Sequence, residues 1–104
     1  MSGETMSVNH LNALADCRAR VDEMDREIVD LLNRRTSVVE EIGRIKKEAA
    51  LAIYEPNREV MVFENIKSHN HGPLSPDSLQ RIFERIIDEM RRIQKERMEQ
   101  GSQD

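Results

Sequence analysis

The sequence predicts an all-α fold with three helices per chain, assembled as a homodimeric helical bundle. Three observations carry that prediction. From Leu14 to Ala49 the apolar positions recur in steps of three and four with no proline among them. The composition is poor in strand formers and breakers: one Tyr, two Phe, no Trp, four Gly and three Pro, with 35% charged residues. Finally, helix-start punctuation occurs twice downstream, at Pro56 and at Ser75-Pro76-Asp77.

Residues 1–10 have no periodicity and are expected to form a flexible N-terminus. The first helix is expected from about Leu11 to about Ala50. Its apolar seam runs Leu14, Cys17, Val21, Met24, Ile28, Leu31, then Val38, Ile42, Ile45 and Ala49. Cys17 falls on this seam and reads as a small core residue; a single cysteine forms no internal disulfide. At the usual rise such a helix is roughly 60 Å long, whereas a domain of this size has a radius of gyration near ~13 Å. The overhang needs a second chain to cover its seam, which is the argument for a homodimer. After a connection at 51–55, Pro56 suits the first turn of a second helix reaching about Ser68. His69-Asn70-His71-Gly72-Pro73 is rich in turn residues. Ser75 can cap a third helix, and Asp77 suits its positive end. This helix is expected to run to about Glu99, leaving 100–104 as a flexible tail and 11–99 as the folded domain.

Charged and polar residues on the apolar faces point to function. Arg35 interrupts the first seam with a permanent cation, and no acidic residue shares its stripe. Burying a guanidinium without an anion is expensive, so an anionic ligand is expected to meet it. Lys46 follows Arg35 by eleven residues, nearly three whole turns, and lies on almost the same face. On the second helix Glu59 precedes Val62, Phe63 and Ile66 by three, four and seven, so a carboxylate points inward. On the third, Leu79, Ile82, Phe83, Ile86, Ile87, Met90 and Ile93 form the apolar stripe, with Gln94 at its edge. Each has a plainer explanation. Glu59 can pair with Arg35 or Lys46, Lys46 can snorkel, and Gln94 can bond backbone near a helix end. Together they describe a polar pocket with two cations, one carboxylate and one neutral amide, suited to a negatively charged small molecule.

Other chemistries lack their residues. The net charge of −4 argues against nucleic acid, and the basic cluster Arg91, Arg92, Lys95, Arg97 is interleaved with glutamates, as on a solvated helix face. No phosphate loop and no cysteine pair is present, and His69 and His71 lack a third metal ligand. No metal and no cofactor is therefore expected. No apolar run has the length of a signal peptide or membrane span, so a cytoplasmic location is expected.

These residues occur in an order that resembles the all-helical class of chorismate mutase. The motifs are Arg18 in CRARVDEMD, Arg35 in LLNRRTSVVEEIGRIK, Lys46 closing that run, Arg58 and Glu59 in YEPNRE, and Gln94 in IIDEMRRIQ. The resemblance spans about Leu14 to Gln94. The EPNRE segment and the HGP turn are most similar to mutase domains joined to, or partnered with, 3-deoxy-D-arabino-heptulosonate 7-phosphate synthase. It implies an intertwined dimer that converts chorismate to prephenate by an intramolecular Claisen rearrangement, at the branch leading to phenylalanine and tyrosine. It also implies roles. Arg35 and Arg18 bind the two carboxylates, and Lys46 and Gln94 donate to the ether oxygen. Glu59 and Glu55 accept from the ring hydroxyl, and Arg58 lines the site. Arg18 precedes Lys46 by 28 residues on one helix, about 42 Å at the helical rise. A catalytic Arg18 must therefore come from the partner subunit. Two departures stand out: Glu55 occupies a position where some members carry aspartate, and Met90 one where some carry a serine that helps hold a carboxylate.

Two alternatives accompany this expectation. An isochorismate-pyruvate lyase resembles the same fold and uses a similar cationic pocket. A non-catalytic helical dimerisation or regulatory module would also show seams and charged outer faces.

Overall fold

A computed structural model describes residues 7–102. The described residues form three helices and no strand: α1 (Val8–Glu48), α2 (Pro56–His69) and α3 (Pro76–Ser102). α1 begins three residues before the expected start because Ser7 caps it. The Ser7 hydroxyl accepts the His10 N–H at 3.1 Å, and the Ser7 carbonyl accepts the Leu11 N–H at 3.0 Å. Such a cap lies outside any apolar periodicity. α3 also outruns expectation. Gly101 and Ser102, assigned above to a tail, continue the helix, since one glycine costs a helix only about 1 kcal/mol. Residues 1–6 and 103–104, part of the expected flexible ends, lie outside the described residues.

The chain divides into two compact units, residues 1–35 and 36–104, with the boundary inside α1. In the first unit α1 carries its ion pairs within one face, Arg20 to Asp16 at 3.2 Å and Arg26 to Glu23 at 2.8 Å. Such exposed pairs contribute a few tenths of a kcal/mol each. Val21, Met24, Ile28 and Leu31 are all exposed. Cys17, on the same seam, is exposed within one chain, and its Sγ lies 3.3 Å from Arg20 Nη2.

The second unit holds the core. Its buried side chains are Val39 and Met90, with Gly43 and Lys46 beside them on α1. Val62, Phe63 and Ile66 of α2 and Phe83, Ile86, Ile87 and Ile93 of α3 are half-buried, while Ile82, expected inside, is exposed. Thr36 Oγ1 donates to Met90 Sδ at 3.5 Å, and Arg97 of α3 pairs with Glu40 of α1. The buried row of α1 is therefore Val39, Gly43, Lys46. The apolar row one residue earlier, Val38, Ile42 and Ile45, is exposed, with Ile45 at 54%. The chain's own helices cover one row and leave its apolar neighbour bare.

The turn between α2 and α3 is held by Asn70. Its Nδ2 donates to the Leu74 carbonyl at 2.8 Å, its Oδ1 accepts the Gly72 N–H at 3.0 Å, and Gly72 takes a φ of 78° that suits glycine. Ser75 then caps α3 by accepting the Ser78 N–H at 3.1 Å.

Candidate active site

The C-terminus of α1 determines where the site forms. Ala50 adopts a left-handed φ of 55°. The Ala50 N–H reaches the Lys47 carbonyl at 3.2 Å and the Leu51 N–H reaches the Lys46 carbonyl at 2.7 Å. These paired bonds are a Schellman cap, which reverses the chain at the helix end. The reversal carries residues 51–55 back past the last turn of α1, and the Ile53 carbonyl meets Lys46 Nζ at 2.8 Å. Pro56 then starts α2 with Glu55 at its N-cap, but the Glu55 side chain makes no capping bond. Its Oε1 instead lies 2.6 Å from Lys46 Nζ.

Lys46 is 7% exposed, a buried ammonium at the negative end of α1. Its third contact is Gln94 Oε1 at 3.3 Å. The three partners match the three protons of an ammonium. With Oε1 turned to Lys46, the Gln94 amide directs its NH₂ elsewhere as a donor. α3 approaches α1 closely here: a Cβ placed on Gly43 would stand 3.7 Å from Gln94 Cγ and 3.8 Å from its Cα.

Glu59 lies one turn beyond Glu55, in the first turn of α2, where its charge suits the helix dipole. It is 24% exposed and pairs with Arg91 of α3. Arg91 was not among the partners considered above, and the contacts of Lys46 go to Ile53, Glu55 and Gln94 instead. The pairing also removes Arg91 from the solvated face, since its side chain is only 37% exposed and its guanidinium carbon sits 4.9 Å from the centroid of the Tyr54 ring. The Arg91 pKa is raised above its ordinary value, first by the hydrogen bond to Glu59 against the lowering effect of burial. The missed signal was positional: Arg91 follows Met90 and precedes Gln94 by three, so it flanks the polar end of the α3 stripe.

The second unit thus brings together Lys46, Gln94 and Glu55, with Glu59 held by Arg91 across α2 and α3. Arg58 is exposed in the first turn of α2. Arg35 and Arg18 belong to the first unit, where Arg35 is half-buried and Arg18 exposed. Among the described residues, no cluster of side chains fit to hold a metal ion occurs, and no helix is long and apolar enough to cross a membrane.

Comparison with known proteins indicates the family. The chain is 28% identical over 94 residues to a chorismate mutase of Methanocaldococcus jannaschii, covering 86% of this chain and 92% of that one. It is 39% identical over 72 residues to a bifunctional chorismate mutase/prephenate dehydratase of Neisseria gonorrhoeae, covering 69% of this chain but 19% of the relative. A similar enzyme of Stutzerimonas stutzeri is matched over 23% of its length, so the chain spans about a fifth of these bifunctional relatives. Among solved structures, form II of the Thermus thermophilus chorismate mutase superposes with a TM-score of 0.78 at 30% identity, over 80% of this chain and 94% of that one. The Helicobacter pylori chorismate mutase in complex with prephenate gives a TM-score of 0.78 at 26% identity, over 85% and 96%. The family model for chorismate mutase type II matches residues 17–95, and the chain belongs to that family.

Proposed function

We propose that this chain rearranges chorismate to prephenate, and that Lys46 and Gln94 stabilise the negative charge that grows on the ether oxygen. The observation that carries the reading is the juxtaposition of a buried ammonium and a primary amide, Lys46 Nζ to Gln94 Oε1 at 3.3 Å, in a family of chorismate mutases. The rearrangement breaks a C–O bond ahead of forming a C–C bond and transfers no proton. It needs a substrate held in its compact conformer and donors fixed where charge develops. Arg35 supplies a cation for one carboxylate, Arg58 lines the site, and Glu59 and Glu55 accept from the ring hydroxyl.

A homodimer with shared sites completes the proposal. The bare row Val38, Ile42, Ile45 in one unit and the exposed Val21, Met24, Ile28 and Leu31 in the other supply apolar surface for a second copy. Arg18 of that copy is the remaining carboxylate ligand. The EPNRE and HGP segments support a finer proposal, association with a 3-deoxy-D-arabino-heptulosonate 7-phosphate synthase. The relatives named above are instead fused to a dehydratase or carry the mutase name alone. A cytoplasmic location fits substrates of this kind.

The test is the loss of chorismate ultraviolet absorbance with prephenate as product. A folded chain that leaves chorismate intact, or that releases pyruvate from isochorismate, overturns the reading. Mixing Arg18→Ala and Lys46→Ala chains, each inactive alone, restores about one site per mixed dimer; no recovery overturns the shared site.

A further inference from the structure

We infer that Arg91 is a positioning residue for this reaction, acting through Glu59; the inference rests on the proposed mutase reading. Three observations support it. Arg91 Nη2 bonds one carboxylate oxygen, Oε2, and the same carboxylate has a second oxygen to offer a hydroxyl. The guanidinium is held from another side by the Tyr54 ring, in the connection that also brings Ile53 and Glu55 to Lys46. Arg91 also stands one turn before Gln94 on α3, so a single helix carries both the amide donor and the holder of the carboxylate.

The physical role follows from these contacts. A glutamate has three side-chain torsions, and in the first turn of a helix an exposed one samples several rotamers. Binding one oxygen to a fork that is itself stacked on a ring removes that freedom. Glu59 then presents its other oxygen in a fixed direction, and accepting from the substrate hydroxyl involves no loss of carboxylate motion at the moment of binding. The pair is charge-neutral, so the carboxylate adds little net repulsion toward an incoming dianion. Without Arg91 the same carboxylate would oppose the substrate's own charge.

Kinetics of chorismate loss in six proteins test this: wild type, Arg91→Ala and Arg91→Lys, and Glu59→Gln alone and combined with each, with helicity and thermal midpoint measured in each. Arg91→Ala is expected to lower kcat/KM about tenfold to a hundredfold in the wild-type background. In the Glu59→Gln background it is expected to change kcat/KM less than about twofold, because the group it positions is already altered. Arg91→Lys retains the charge and one bond and recovers part of the loss. Equal effects of Arg91→Ala in both backgrounds, with folding intact, overturn the inference while leaving the mutase reading standing. A folded wild type without turnover overturns both. If Arg91→Ala unfolds the protein, the comparison of Arg91→Lys in the two backgrounds decides by the same rule.

Discussion

Replacing Lys46 by methionine separates catalysis from stability. Lys46 Nζ has contacts to the Ile53 carbonyl at 2.8 Å, Glu55 Oε1 at 2.6 Å and Gln94 Oε1 at 3.3 Å. Methionine keeps most of the volume and removes all three. Glu55 is 50% exposed and regains water. The Ile53 carbonyl and the Gln94 oxygen each lose a charged donor, at about 1–3 kcal/mol, set against the recovered cost of burying an ammonium. These terms oppose one another, so the net change in unfolding free energy stays within about 2 kcal/mol. Catalysis has no such offset. Losing one preorganised donor to a developing oxyanion costs about 3–4 kcal/mol of barrier, or about 10²–10³ in kcat. The assay is chorismate absorbance at saturating substrate, with far-ultraviolet dichroism and urea unfolding on the same samples. A Lys46→Met protein that stays folded and keeps kcat within tenfold of wild type refutes the role given to Lys46.

Four further substitutions test the frame around that ammonium. Gly43→Ala places a methyl 3.7 Å from Gln94 Cγ, an ordinary contact, so it stabilises α1 by about 0.5–1 kcal/mol in urea unfolding with turnover nearly unchanged; Gly43→Leu displaces Gln94 and lowers kcat. Ala50→Gly relieves a φ of 55° in the Schellman cap and raises stability by up to about 1 kcal/mol, read as a higher thermal midpoint. Gln94→Glu puts a carboxyl beside Lys46, and that carboxyl donates only when protonated. Turnover is then highest in acid and falls as pH rises through its titration, whereas the wild-type amide shows no such fall in a pH–rate profile.

The helices were legible because their signals are local. Pro56 and the Ser75-Pro76 pair start α2 and α3 at the residues the sequence marks. The inward set of Glu59 and Gln94 was legible by the same periodic argument. The pairing of Glu59 was not. Its partner Arg91 lies 32 residues away, in a run of mixed charge that a helix in solution would simply expose. Only the packing of α2 on α3 selects it. The seam from Val38 to Ile45 shows a similar limit. Periodicity identified an apolar stripe on α1, but the chain's own core took the adjacent row through Val39 and Gly43. Adjacent rows differ by one residue, about 100° of helix rotation, and patterning alone does not say which row meets α3.

The contacts of Lys46 also indicate how the proposed site would receive its substrate. All three ammonium protons face protein oxygens, and an ether oxygen needs one of them. The Ile53 carbonyl is backbone fixed by the cap at Ala50, and Gln94 is wedged against Gly43. Glu55 alone is half in water, on a side chain one methylene longer than aspartate. It is therefore the partner that yields, turning toward the substrate hydroxyl while the other two contacts keep the ammonium aimed. In the transition state the charge growing on the ether oxygen then takes the place beside Lys46 that the Glu55 carboxylate left. On this account the longer side chain at 55 works as a releasable counter-ion. A shorter Glu55→Asp variant should then hold Lys46 less tightly before substrate arrives, lowering stability without lowering kcat.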